Sequence, residues 1–173
     1  MKTTESMLAV LARAESELPH LLCDGQGWNS LFVDYDFPHV KRLWREYDGA
    51  YRLYLHFIYS CEKNEAMYHT HSGPSAMKIV DGGYEMGVGY GSNILSPPPI
   101  AATLIMSAGS TYEMSEVYGG HYVRPVGGVT VTIMVAGKPW ENKISPKSTK
   151  ALDPLSDSDV EMILSYFRNK YPQ

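Results

Sequence analysis

The sequence is short of the features that mark several large classes of protein. It has two cysteines in 173 residues, Cys23 and Cys61, far apart and outside any paired-thiol spacing. That argues against a disulfide framework and a thiolate zinc site, and two reduced thiols are the expectation. There is no surplus of positive charge: 15 Lys and Arg stand against 19 Asp and Glu, for a formal net charge of −4. No basic stripe runs along any segment, so too few cations are clustered to replace the counterions of a phosphate backbone, and no nucleic-acid partner is expected. Long hydrophobic runs are missing too. In the first 22 residues Glu5, Arg13, Glu15 and Glu17 interrupt every apolar stretch, which leaves no signal-peptide core and no membrane span. A cytoplasmic protein without membrane contact is the expectation. Repeats, low-complexity tracts and long linkers are also lacking, and this length suits one domain with its own core. A single domain over 1–173 is therefore predicted.

What is present is aromatic and glycine-rich, with thirteen Tyr and fifteen Gly, a bias toward strands and tight turns. From Tyr51 onward, short runs of branched and aromatic residues follow closely at 51–60, 75–80, 84–91, 102–109, 121–125 and 128–137. The second and third of these flank Asp81-Gly82-Gly83, where glycine supplies the positive φ of a tight turn, so they are expected to pair as a hairpin. Ser96-Pro97-Pro98-Pro99 reads as a stiff extended crossing. Segment 24–48 mixes Gly25, Gly27, Pro38 and several aromatics without a clean period. It reads as loops, with a short helix or strand around 40–47.

Two helices flank the strands. Over about 4–22, Met7, Leu8, Leu11, Ala14 and Leu18 fall at helical spacing behind Thr3 or Thr4 as cap. This helix is expected to cover one face or mouth of the domain; dimerisation through it is the alternative, and a homodimer is kept open. Over about 156–170, Ser156 or Ser158 caps a helix whose Val160, Ile163, Leu164 and Phe167 share a face. Hairpin-linked strands, rather than strands alternating with helices, point to a mainly β, antiparallel barrel or sandwich, and a barrel over about 50–140 is the architecture expected.

The chemistry is concentrated in Tyr68-His69-Thr70-His71. On a strand, residues two apart share a face, so His69 and His71 present their imidazoles side by side. His121 lies on a later strand that a barrel would bring opposite the pair. These three are the predicted ligands of one divalent transition-metal ion; the plainer alternative for the pair alone is a chance coincidence on a half-exposed strand. His56, within 54–58, is a candidate acid or base, against the alternative of a packed core histidine. Glu85 is a candidate fourth ligand or catalytic carboxylate, against that of a strand carboxylate paired with Lys78 across the hairpin. Tyr122 is a candidate catalytic hydroxyl, with Tyr90, Tyr112 and Tyr118 behind it. Arg124 lies three residues past His121 and so on the opposite strand face. His20 and His39 fall outside the strand pattern and read as surface residues.

Residues 50–140 resemble the cupin superfamily, small jelly-roll barrels with a His-x-His first motif and a further histidine in the second. The resemblance is carried by His69-Thr70-His71, the glycine-marked turn of 79–84, Gly109, and Gly120-His121 followed by 129–133. In many cupins a Glu four residues past the second histidine completes a His3Glu site. Here that residue is Ser75. An all-histidine site resembles the cysteine dioxygenase branch, whose local pattern is similar to His69, His71, Lys78, Gly82 and Glu85. A cysteine used there for a Cys–Tyr crosslink is replaced by Ala76, and Arg52 and Arg124 are the candidates for the branch's carboxylate-binding arginine. The resemblance implies a jelly-roll barrel holding iron(II), with zinc, manganese, nickel or copper as alternatives, and a dioxygenase acting on a small polar thiol or diketone. A metal-dependent sugar or keto isomerase or lyase, or a non-catalytic small-molecule-binding cupin, is the alternative function.

Overall fold

A computed structural model describes residues 5–91, 96–141 and 151–173. Helix α1 (Met7–Leu21) comes first, followed by strands β1 (Asn29–Val33), β2 (Val40–Tyr47), β3 (Tyr51–Ile58), β4 (His69–Thr70), β5 (Ser75–Asp81) and β6 (Gly83–Tyr90). Strands β7 (Ala102–Ser107), β8 (Thr111–Met114), β9 (Gly119–Pro125) and β10 (Thr130–Ala136) then lead to helix α2 (Asp157–Lys170). The α1 cap is Ser6, whose hydroxyl accepts from Ala9 N at 3.2 Å; Thr3 and Thr4, the expected caps, lie outside the described residues. Ser156 caps α2, accepting from Asp159 N.

Among the described residues the strands form two antiparallel sheets rather than the closed barrel expected. One has six strands in the order β1-β2-β3-β10-β5-β8, and the other has four in the order β4-β9-β6-β7. Strand alternation gives the six-stranded sheet two different faces. Its outer row of Leu43, Leu55 and Ile133 packs with Val10, Leu11, Leu18, Ile163 and Phe167 of the two helices. Its inner face meets the four-stranded sheet, where Ile58, Met77, Ile79 and Met134 pack against Tyr84, Met86 and Val123. Both helices thus lie on one outer face. Polar pins fix them there: Lys78 Nζ of β5 donates to Glu15 Oε1 of α1, and Lys41 Nζ of β2 donates to Asp159 Oδ1 of α2. Leu8, expected on the buried stripe of α1, is exposed, and Val10 takes its place.

The turn at Asp81-Gly82-Gly83 does not close a hairpin. β5 pairs with β10 and β8, while β6 pairs with β9 and β7, so the chain turns a corner from one sheet into the other. The register slips between Val131 and Thr132, putting one extra β5 residue opposite them, and such a bulge bends the strand. Gly82 then takes φ +72, and a Cβ there would meet the Val129 carbonyl oxygen at 2.7 Å. Glycine at a corner and glycine in a hairpin look alike in sequence. Gly82→Ala combines an unfavourable φ with a backbone clash and is expected to destabilise the fold by about 1–3 kcal/mol, read as a lowered denaturant midpoint at unchanged slope.

Candidate metal centre

Strand β4 is two residues long, yet its pairing with β9 assembles the site: His69 stands opposite His121 and Thr70 opposite Gly120. What holds so short a strand is a close approach next to the ligand. A Cβ on Gly120 would lie 2.7 Å from Cε1 and Cζ of Tyr68, so the tyrosine ring fills the place a side chain would occupy. With Tyr68 seated on the glycine, His69 alternates to the interior.

The three histidines meet inside. Their ligand atoms all lie within 4.8 Å of one another, and among the described residues this is the one His, Cys, Asp or Glu group so arranged. His71 Nε2 and His121 Nε2 are 3.1 Å apart, close to the roughly 3 Å expected of neighbouring nitrogens that each sit about 2.1 Å from a shared ion. The other ring nitrogens are engaged. His69 Nδ1 donates to the Met67 carbonyl at 3.2 Å, and His121 Nδ1 donates to Met86 Sδ at 3.3 Å. A carbonyl and a thioether only accept, so each ring carries its proton on Nδ1 and turns a lone pair outward at Nε2. His71 Nδ1 lies 2.5 Å from Ser75 Oγ, a hydroxyl able to donate or accept. Ser75, which the cupin resemblance aligns with a carboxylate ligand, thus contacts a histidine instead. His121 is 1% exposed; burial first, then His69 and His71, push its pKa well below the usual histidine value. A neutral imidazole is the form that binds a metal. Donor type, convergence and protonation all fit one divalent transition ion.

A second row of polar groups faces the same interior from the six-stranded sheet. Arg42, His56 and Thr132 are cross-strand neighbours on β2, β3 and β10. His56 is 2% exposed, its Nδ1 lies 3.1 Å from Thr132 Oγ1, and its Nε2 is buried without a partner. The Arg42 Nε is likewise buried and unpartnered, with the guanidinium 5.3 Å from the Tyr54 ring centre. Burial, then Arg42 and His71, hold the His56 pKa well below its usual value. Orphaned buried polar atoms are rare and need a cause. Arg42 falls in the stretch whose sequence showed no clean period, and nothing in its local pattern distinguishes it. Arg52, one of the two expected anion binders, instead pairs with Glu46 at the surface.

Glu85 and Tyr122 are not brought to the histidines. They follow strand alternation to the outer face of the four-stranded sheet, where Tyr122 Oη donates to Glu85 Oε1 at 2.9 Å. Lys63 Nζ lies 3.2 Å and Arg124 3.6 Å from the same carboxylate. The expected Lys78 partner is on the other sheet, held by Glu15. Lys63 belongs to the connection between β3 and β4, so this cluster ties that loop down. An apolar cleft of about 350 Å³ lies between β6, β7 and β8, lined by Met86, Val88, Leu104, Tyr112 and Met114 among others. The three histidines do not line it; Met86 and Tyr112, which lies 5.9 Å from the His121 ring, connect the two.

No family profile matches the sequence, and no curated protein matches it. The fold is shared with solved structures. A hydroxypropylphosphonic acid epoxidase from S. wedmorenis superposes with a TM-score of 0.50 at 14% identity, over 65% of this chain and 56% of that one. An iron(II) form of HppE gives 0.51 at 13% identity over 65% and 57%, as does an iron(II) form with the alternative substrate (S)-1-HPP. The superposition thus spans little more than half of these neighbours' length. The likeness supports a shared β architecture consistent with the cupin resemblance.

Two outcomes follow from this geometry. Gly120→Ala displaces Tyr68 and with it His69, so metal retained after desalting falls while far-ultraviolet circular dichroism is kept. Glu85→Gln leaves metal content unchanged but removes charge-assisted contacts of about 1–3 kcal/mol. The Tyr122 hydrogen bond is the chief cause of the lowered Glu85 pKa. A carboxyl depressed on folding stabilises above its unfolded value, near 4.3, and loses that contribution as pH falls through its folded value. The melting-temperature gap between native and Glu85→Gln protein should therefore be present at neutral pH and close in acid.

Proposed function

We propose that the chain is an iron(II)-dependent oxygenase of the three-histidine cupin type, acting on a small anionic molecule such as a thiol carboxylate or a diketonate. The observation that carries this is the pairing of an all-imidazole site with a buried wall holding unpartnered Arg42 and His56 atoms. Three neutral ligands leave a divalent ion its full charge and several open positions, which favours an anionic, chelating partner. A bound iron(II) supplies Lewis acidity and one-electron chemistry toward dioxygen. Arg42 attracts the anionic head and gains the partner its Nε lacks. His56, with Nδ1 tied to Thr132, offers neutral Nε2 as the atom that takes the proton of an incoming thiol or enol. The fold-sharing epoxidase, named for a phosphonic acid, adds phosphonates to the substrates worth testing.

A second reading draws on the same buried base. A neutral imidazole beside a Lewis-acidic ion also suits proton abstraction next to a carbonyl, the chemistry of a sugar or keto isomerase or lyase, for which zinc or manganese suffices.

The two separate cleanly. Anaerobically iron-loaded protein is offered thiols, diketones and phosphonates, and oxygen uptake is followed with an electrode. Uptake dependent on substrate, lost in His121→Ala together with the metal, supports the oxygenase; isomerised product without uptake supports the second reading. In the oxygenase case Arg42→Gln raises KM on the order of tenfold or more, and His56→Gln lowers kcat by about a hundredfold or more. A native chain that binds no transition metal sinks both.

A further inference from the structure

His121 is the most enclosed of the three ligands, and its orienting partner is the odd one. His69 is held by a carbonyl and His71 by a hydroxyl, whereas His121 Nδ1 meets a thioether, Met86 Sδ, at 3.3 Å. Metal-bound histidines usually give their second N–H to a carboxylate, carbonyl or water, and that partner sets ring orientation and raises ligand basicity. Sulfur is a weak acceptor. Met86 cannot easily yield its place, because it is 3% exposed and packed with Tyr84, Met77 and Val123. Tyr112 stands edge-on to the His121 ring but directs its hydroxyl to Tyr84 and Met77. The hydrogen bonds of the described residues thus assign His121 Nδ1 to Met86, with His71 at Nε2.

Resting on the metal-centre reading above, we infer that Met86 is a positioning residue for His121: its thioether fixes the Nδ1–H tautomer that turns Nε2 to the ion, and its weakness as an acceptor leaves His121 a poorer donor than a carbonyl-bound histidine would be. Two consequences follow in opposite directions. Removing the acceptor frees the ring to flip or change tautomer, so the ion is held less well. Strengthening the acceptor makes the imidazole more basic, which favours the higher oxidation state and lowers the potential of a bound iron.

Met86→Leu and Met86→Gln test this pair of effects. Leucine keeps bulk without an acceptor, and glutamine brings a carbonyl at similar reach. In metal-free protein, nitrogen NMR of the histidine rings should show one Nδ1–H tautomer for His121 in the native chain and a mixture in M86L. Cobalt(II) affinity, measured against a competing chelator, should fall tenfold or more in M86L and return to within about threefold of native in M86Q. The iron(III)/iron(II) midpoint potential of M86Q should lie below native. The inference is overturned if M86L binds cobalt as tightly as native with its tautomer unchanged. It is also overturned if M86L weakens binding while M86Q neither restores it nor moves the potential, which would leave Met86 a packing residue. Should M86L lose its fold, the tautomer and potential of M86Q decide. Failure of the metal-centre reading looks different, since the native chain itself would take up no cobalt.

Discussion

Two backbone pairings, His69 with His121 and Thr70 with Gly120, hold the whole centre, and a strand of two residues is too short to be stable on its own hydrogen bonds. Its support comes from either side of the sheet. On the outer face Tyr68 lies on Gly120, and the Glu85 cluster with Tyr122, Arg124 and Lys63 ties down the preceding loop. On the inner face each imidazole is caught at its far nitrogen. Alternation links the two: whatever fixes Tyr68 outside also fixes His69 inside. The outer cluster therefore steadies the β3–β4 connection, while the ligands themselves are held by the β4–β9 pairing and their inner contacts.

The interior wall breaks the ordinary rules of a core. Burying a guanidinium nitrogen and an imidazole nitrogen without partners costs about 1–3 kcal/mol per group, more where the group is charged. The same sheet offsets this on its other face, where Leu43, Leu55 and Ile133 are fully buried beneath the helices. A sheet with one well-packed face can hold strained chemistry on the other. Such departures concentrate at functional sites, and here they gather opposite the one metal-binding group found among the described residues.

Much of this was legible in the amino-acid order, and what was not has identifiable causes. The histidine pair could be read because alternation is local, and both helices could be read because their apolar spacing is regular. The distance of Arg124 from His121 placed it on the far face, where it lies. Arg42 was hidden for the opposite reason: β2 carries Lys41, Arg42, Arg45 and Glu46 among its apolar residues, and only the register with His56 shows which cation turns inward. Glu85 was misplaced by the corner at Gly82. With a hairpin assumed, Lys78 and Glu85 become neighbours; with a corner, they belong to different sheets and one acid changes from candidate ligand to anchor.

The same logic explains why a serine suits position 75. His71 Nδ1 faces Ser75 Oγ while its Nε2 faces His121 Nε2. An imidazole that offers a metal its Nε2 lone pair carries its proton on Nδ1, and one that donates from Nε2 accepts at Nδ1. A carbonyl at Ser75's place could serve only the first tautomer, and an ammonium only the second. A hydroxyl rotates to serve both, accepting from Nδ1–H or donating to a bare Nδ1. Serine thus orients the ring without fixing its tautomer, and because it adds no negative charge the three imidazoles stay a neutral ligand set.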